Sequence, residues 1–265
     1  MIESTPDKKQ VQPQSAPEQA PWTLHQTLMG VLLTMLPWMA LAIALNSVGT
    51  TSNSSAPLPF NLDLSGAIIT IIFSALIEGA FVIAPFYFAN KVFSAMRPRA
   101  GLVFDALGFR KTSLRRAAFW IFGLILAIFA VNLLYSAVIT TFHLNLQTND
   151  QVILAHSKQE PLTTYATLFA AVFIAPFCEE IFFRGFVFPG LRRGMPVGPA
   201  IVVSSLLFAI AHADPGSFAV LFIIGLALAF IRWRSNSIWP CMFLHMLNNG
   251  IGAVSILLVM QGTIH

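Results

Sequence analysis

Three short patterns of polar residues lie inside apolar stretches in the second half of the chain. They are Glu179-Glu180 with Arg184, Phe208 with His212, and His245 with Asn249. A charged group in the bilayer interior costs about 2.5–3.5 kcal/mol on insertion scales, so such groups usually face the inside of a helix bundle. A carboxylate with an imidazole can activate water as a general base, and an imidazole with a carboxamide can stabilise an oxyanion. These residue types therefore favour the hydrolysis of an amide bond.

The glutamate pattern separates into a paired and an unpaired carboxylate. Glu180 and Arg184 are four residues apart, so they share one face of a helix and can form an ion pair. Glu179 points about 100° away from that pair and is free to do chemistry. Cys178 beside it raises the alternative of a Cys–His protease, but its side chain points about 100° from Glu179. We expect Glu179 to be the reactive group and Glu180–Arg184 to be a structural ion pair beside it.

The two histidine patterns follow the same helical spacing. His212 lies on the face of Phe208, and His245 lies on the face of Asn249. Asn248, three residues after His245, is a rival of Asn249 for the same role. We favour Asn249.

A metal site is the alternative that these residues leave open. Glu179, His212 and His245 would supply three ligands of a catalytic Zn²⁺, with water in the fourth position. The sequence contains no His-Glu-x-x-His pattern, so three different helices would have to supply these ligands. Glu179 lies sixteen residues before Met195 and His212 lies sixteen after Pro196. A hairpin that turns between Met195 and Pro196 would therefore bring these two side chains to one depth.

The elements that carry these residues are predicted to be membrane helices. Of the 265 residues, 56% are hydrophobic and only 10% are charged, against about 25% charged in a soluble domain. A membrane span needs roughly 20 apolar residues. We predict an all-α, polytopic integral membrane helix bundle of about seven transmembrane helices, near 24–45, 68–88, 117–139, 162–183 and beyond, 197–211, 218–231 and 238–260. The fifth and the sixth are short for full spans.

The basic residues alternate between successive loops. Segments 47–65 and 213–217 contain no Lys or Arg, and 142–161 contains only Lys158. The other loops contain Lys91, Arg97, Arg99, Arg110, Lys111, Arg115, Arg116, Arg192, Arg193, Arg232 and Arg234. Because positive residues mark the cytoplasmic side, this alternation predicts seven crossings, a cytoplasmic N-terminus and an external C-terminus.

These features predict three regions. Residues 1–21 are rich in Pro, Gln and Ser, contain no apolar run and are expected to form a disordered cytoplasmic tail without a cleavable signal peptide. Residues 22–145 contain the front helices and the basic cytoplasmic loop 91–116. Residues 160–260 contain every pattern described above. Glu78 is the clear charged residue within a front helix, and we favour a polar interhelical contact for it.

The three patterns together resemble the CAAX-protease and bacteriocin-processing family of intramembrane proteases, also called Abi or CPBP. That family has a Glu-Glu-x-x-x-Arg, a Phe-x-x-x-His and a His-x-x-x-Asn motif on successive membrane helices. Each motif alone is weak evidence, but here all three occur in order, each within an apolar helix. The resemblance covers about residues 160–255, and Gly185 after Arg184 also resembles the family.

The resemblance implies a role for each motif residue. Glu179, helped by His212, would activate the attacking water, and His245 with Asn249 would stabilise the oxyanion. Glu180 and Arg184 would be structural partners beside them. It does not decide between zinc and glutamate-activated water alone.

We therefore predict an intramembrane endopeptidase that cleaves a membrane-associated protein or peptide, prenylated or not, near the cytoplasmic face. The alternatives are a non-catalytic bacteriocin-immunity or scaffold protein and, less favoured, a proton-coupled transporter. The expected partners are the lipid bilayer and a membrane-bound substrate, with no nucleic acid and no organic cofactor. The expected location is a bacterial plasma membrane.

Overall fold

The computed structural model describes residues 20–47, 56–94 and 100–263, and every regular element in these ranges is a helix. The helices are α1 Leu24–Ser47, α2 Phe60–Ser94, α3 Ala100–Ala106, α4 Leu114–Thr141, α5 Asn149–His156, α6 Pro161–Leu191, α7 Val197–Ala211, α8 Phe218–Ser235 and α9 Trp239–Met260. The predicted all-α polytopic bundle is confirmed.

Six of the described helices are long and apolar enough to cross a membrane: α1, α2, α4, α6, α8 and α9. Helix α7 is apolar but has only 15 residues. The prediction of about seven spans thus corresponds to six helices of spanning length and one shorter helix. The predicted orientation of the N-terminus stays a prediction.

Two short helices lie where the sequence predicted loops. Helix α3 occupies part of the basic segment 91–116, and α5 occupies part of segment 142–161. Helix α5 has a reciprocal cap, in which the Thr148 side chain accepts from the backbone of Gln151 and the Gln151 side chain accepts from the backbone of Thr148. The apolar pattern did not reveal either helix because both are too short to span a membrane.

Residues 1–19 of the predicted tail lie outside the described residues. Ala20, near the end of the predicted tail, is buried, and Trp22, just after it, is fully buried. The guanidinium of Arg193 donates to the backbone oxygens of Ala20, Pro21 and Trp22. These contacts fix the chain before α1 against the end of α6.

Helix α6 contains two wider, π-helical stretches on either side of the glutamate pair. They span Ala170–Ile174 and Ile181–Val187, with Ala175–Glu180 between them in α-helical geometry. Pro176 has no N–H to continue the helical hydrogen bonding, so the first wide turn lies where the helix must be interrupted. The wide turn lies just before Pro176 in the chain.

Asp63 on α2 supplies the cap for the start of α6. Its carboxylate accepts from the backbone N–H groups of Leu162 and Thr163 at 2.8 and 2.9 Å, and from the Thr163 hydroxyl at 2.9 Å. The preceding residue, Glu160, makes no such side-chain cap. A carboxylate also interacts favourably with the positive end of the helix dipole. Asp63 thus fixes the helix that carries the glutamate pair.

Helices α7 and α8 pack most extensively against each other. Gly225 permits this approach, because a Cβ there would lie 3.0 Å from the Ser205 Cα. The contact brings the carbonyl oxygen of Gly225 to the interior, where α6 can reach it.

The Asp63 cap can be tested by substitution. We expect Asp63→Ala to lower the free energy of unfolding by about 1–3 kcal/mol, because it leaves two partly buried N–H donors without their acceptor. The matched control is Asp105→Ala, which removes an exposed carboxylate from α3. Thermal unfolding of both variants in detergent measures the difference. Equal melting temperatures would contradict a capping role for Asp63.

Candidate active site

The carboxylate of Glu180 is fully buried and joins two helices. Its Oε1 atom accepts from Arg184 Nη1 at 2.8 Å and lies 3.0 Å from His245 Nδ1. Arg184 is also fully buried, and His245 is nearly so. The ion pair predicted from the i,i+4 spacing therefore forms, and it also holds the imidazole of α9.

Arg184 contacts both α7 and α8. Its Nη2 donates to the carbonyl oxygen of Gly225 at 3.2 Å, and its guanidinium lies 4.4 Å from the centre of the Phe208 ring. The backbone oxygen of Arg184 accepts from Arg232 Nε at 3.0 Å. Both the charge and the position of Arg184 are thus fixed by neighbouring helices.

Glu179 points between the two imidazoles. Its Oε2 atom lies 3.9 Å from His212 Nε2 and 3.8 Å from His245 Nε2. The side chain of Glu179 is 13% exposed and that of His212 is 23% exposed, whereas the side chains of Glu180 and Arg184 are fully buried. The side chains of Glu179, His212 and His245 therefore meet at a partly exposed position, next to the buried Glu180–Arg184 ion pair.

The partners of the two Nδ1 atoms determine how the rings face Glu179. His212 Nδ1 lies 2.8 Å from the carbonyl oxygen of Phe208, which can only accept, so Nδ1 must donate. His245 Nδ1 likewise donates to the Glu180 carboxylate. In a neutral imidazole the other nitrogen is then an acceptor. Two acceptor nitrogens and a carboxylate oxygen thus converge, an arrangement that suits a water molecule or a cation.

The two asparagines differ in what fixes them. Asn249 Nδ2 donates to the carbonyl oxygen of Ala171, within the first wide turn of α6, at 2.8 Å. Asn248 Nδ2 donates to Asn249 Oδ1 at 3.1 Å. Asn249 is therefore tied to the backbone of α6, and Asn248 orients its amide.

Phe208 links the site in a way that sequence reasoning missed. Its fully buried ring lies 4.5 Å from the His212 ring and 5.5 Å from the His245 ring, in addition to its contact with Arg184. Phe208 is the first residue of the Phe-x-x-x-His pattern, which indicates only that it shares a helix face with His212. Trp38 of α1 was not singled out, and its indole N–H donates to the carbonyl oxygen of Ala211, next to His212.

Glu78 lies closer to the site than its sequence position indicated. One of its carboxylate oxygens is buried without a hydrogen-bond partner among the described residues, and its charge interacts with that of Glu179. Cys178 and Cys241 are both buried free thiols.

Glu179, His212 and His245 are also the candidate ligands of a metal ion. Among the described residues, no group of three or more His, Cys, Asp or Glu is arranged to hold a metal ion. Tetrahedral zinc places its ligand atoms about 2.0–2.3 Å from the ion, and therefore about 3.3–3.8 Å from one another. Glu179 Oε2 lies 3.9 Å from His212 Nε2 and 3.8 Å from His245 Nε2, which is close to that spacing. The donor types do suit zinc, since the Nδ1–H groups are engaged as they are in most metal-bound histidines.

A comparison with protein families gives a match over residues 161–251. The matching family is described as type II CAAX prenyl endopeptidase Rce1-like. The matched segment is about a third of the chain, and it contains all six residues of the predicted site. No solved structure matches this chain.

Two curated proteins are similar to about half of the chain. An uncharacterized protein of Mycoplasma capricolum is 35% identical over 144 residues, which cover 50% of this chain and 42% of that protein. A Bacillus subtilis protein described as "putative membrane peptidase YdiL" is 28% identical over 142 residues, which cover 53% of this chain and 57% of that protein. The chain thus matches only about half of the length of either relative.

The buried ion pair can be tested by a double-mutant cycle. We expect Arg184→Met to lower the free energy of unfolding by about 3–5 kcal/mol, because it leaves Glu180 buried without its charged partner. Adding Glu180→Gln to that variant should recover much of the loss. Denaturant unfolding in detergent measures all four proteins. If the double variant loses the sum of the unfolding free energies that the two single variants lose, the two residues are not coupled.

Proposed function

We propose that this protein is an intramembrane endopeptidase, because residues 161–251 match the model of the Rce1-like family. It would hydrolyse a peptide bond of a membrane-associated protein or peptide. The observation that carries the proposal is the position of the Glu179 carboxylate, with Oε2 within 4 Å of Nε2 of both His212 and His245. A general base must lie within hydrogen-bond reach of the proton that it removes, directly or through one water.

In the proposed reaction, a water molecule donates one hydrogen bond to Glu179 and one to His212 Nε2. Glu179 takes the proton as the water oxygen attacks the peptide carbonyl carbon. The tetrahedral intermediate then collapses, the C–N bond breaks, and Glu179 returns the proton to the leaving amine. The carboxylate ends in its starting form, so the chemistry balances without a further reactant.

The oxyanion of this intermediate needs hydrogen-bond donors, and we propose His245 and Asn249 for this role. Because His245 Nδ1 donates to Glu180, Nε2 can donate only when the ring carries a second proton. The negative charge of Glu180 at 3.0 Å compensates the positive charge of that ring. Asn249 uses one N–H for the Ala171 carbonyl and retains the second. Removal of one oxyanion donor typically costs about 100- to 1,000-fold in rate.

A zinc-dependent form of the reaction uses the same side chains. Glu179, His212 and His245 would hold the ion, with Glu180 orienting His245 through Nδ1. The ion would lower the pKa of a bound water and polarise the substrate carbonyl. A chelator distinguishes this form from the metal-free one.

We propose that the substrate lies near the cytoplasmic face and that the N-terminus is cytoplasmic, on the basis of the alternating basic loops. A prenylated substrate is proposed from the family alone. The plasma membrane of a bacterium is the proposed location.

The role of Glu179 can be tested with a library of membrane-tethered reporter peptides, with and without a prenyl group. We expect Glu179→Gln to lower the rate of cleavage by about 100- to 10,000-fold, because the general base is lost. The matched control is Glu160→Gln, at the start of α6 and outside the site. A chelator arm measures dependence on metal. A folded wild-type protein that cleaves no peptide would favour the non-catalytic immunity or scaffold function.

The two asparagines provide a second test. We expect Asn249→Ala to lower the turnover number by about 100-fold or more. Asn248→Ala should have a smaller effect, because Asn248 acts only by orienting Asn249. Steady-state cleavage of one reporter by both variants gives the comparison, with thermal unfolding as the control for folding. A larger loss in Asn248→Ala would reverse the assignment.

A further inference from the structure

A polar pocket of about 220 Å³ lies away from the candidate active site, where two membrane helices end. It is formed by the start of α4 and the end of α8. The residues that line it are Lys111, Thr112, Ser113, Arg116, Ala117, Trp120, Ile231, Arg234 and Ser235. Three of them are cationic and three carry hydroxyl groups.

The cations of this pocket have no carboxylate partner in the part of the chain that the structure describes. In residues 20–47, 56–94 and 100–263, no carboxylate forms an ion pair with Lys111, Arg116 or Arg234. Burial, and then the charge of Arg232, lower the pKa of Arg110, the residue before Lys111. Three like charges around one cavity repel each other, so an anion that enters the cavity is stabilised.

The backbone and the aromatic residues add to this preference. Helix α4 starts at Leu114 with no acidic residue in its first turn, and its cap residue Ser113 makes no side-chain cap. The N-terminal N–H groups and the helix dipole therefore remain available to an anion. The guanidinium of Arg234 lies 5.6 Å from the Trp120 ring and 5.5 Å from the Trp233 ring, which hold it in position.

We propose that this pocket binds the phosphate group of an anionic membrane lipid. Leu114 and Ser235 begin and end two candidate spans, so the pocket lies at the level of the lipid headgroups. Tryptophan is enriched at that level, and basic pockets between membrane helices bind phosphate headgroups. The basic residues of this loop thus have a binding role in addition to their effect on orientation. The proposal does not depend on the proposed protease activity.

The full-length protein in a neutral detergent provides the test. Phosphatidylglycerol is titrated and the bound lipid is counted by native mass spectrometry, with phosphatidylcholine as the neutral lipid. We expect Arg116→Gln to weaken phosphatidylglycerol binding about fivefold, and the triple variant Lys111→Gln, Arg116→Gln, Arg234→Gln to weaken it on the order of 100-fold. The control is Arg115→Gln, which removes an adjacent exposed charge that does not line the pocket.

The outcomes separate the possible sources of the phosphate group. Loss of binding in Arg116→Gln but not in Arg115→Gln supports the proposal. Equal losses in both variants, or no preference for phosphatidylglycerol over phosphatidylcholine, would overturn it. Inorganic phosphate is added as a competitor. If inorganic phosphate displaces the lipid at concentrations no higher than those at which the lipid binds, the pocket is a site for free phosphate. That result would overturn the proposal. Thermal unfolding of each variant shows that it is folded.

Discussion

A buried carboxylate has lost its hydration, so the protein must compensate its negative charge. The fully buried Glu180 imposes this constraint on the helix bundle. Arg184 on the same helix and His245 on α9 provide the compensation. Arg184 in turn needs the Gly225 carbonyl, which is within reach because α7 and α8 pack closely. Breaking such a pair leaves a buried charge and costs several kcal/mol. The contacts of Glu180 Oε1 therefore also fix the relative positions of the helices that carry Glu179 and the two imidazoles.

This arrangement gives two adjacent glutamates different surroundings. Glu180 is enclosed and bound, whereas Glu179 is partly open and lies between two Nε2 atoms. The difference arises from the helix itself, because consecutive residues point about 100° apart. A short α-helical stretch between two wide turns carries both. Wide turns of this type occur frequently at functional sites. The segment matched by the family model contains both glutamates.

Much of this site was predictable from spacing, because i,i+4 pairs share a helix face whatever the tertiary structure. That rule correctly predicted the Glu180–Arg184 pair. Other contacts depend on which helices become neighbours, and spacing does not contain that information. The Asp63 cap on α6 joins residues about 100 positions apart in the sequence. The wide turns and the short helices α3 and α5 were not predicted either. An apolar pattern indicates membrane-spanning helices but contains no information on local hydrogen bonding.

The most direct test of the central claim is a single turnover of a cleaved reporter peptide in isotopically labelled water, followed by mass spectrometry of the product carboxylate. If Glu179 activates water for direct attack, the new carboxylate contains one labelled oxygen after the first turnover. If Glu179 attacks the carbonyl itself, the first product carries unlabelled oxygen from the protein, and the label enters Glu179 instead. The first result is the one we predict, and the second would contradict the account of the site.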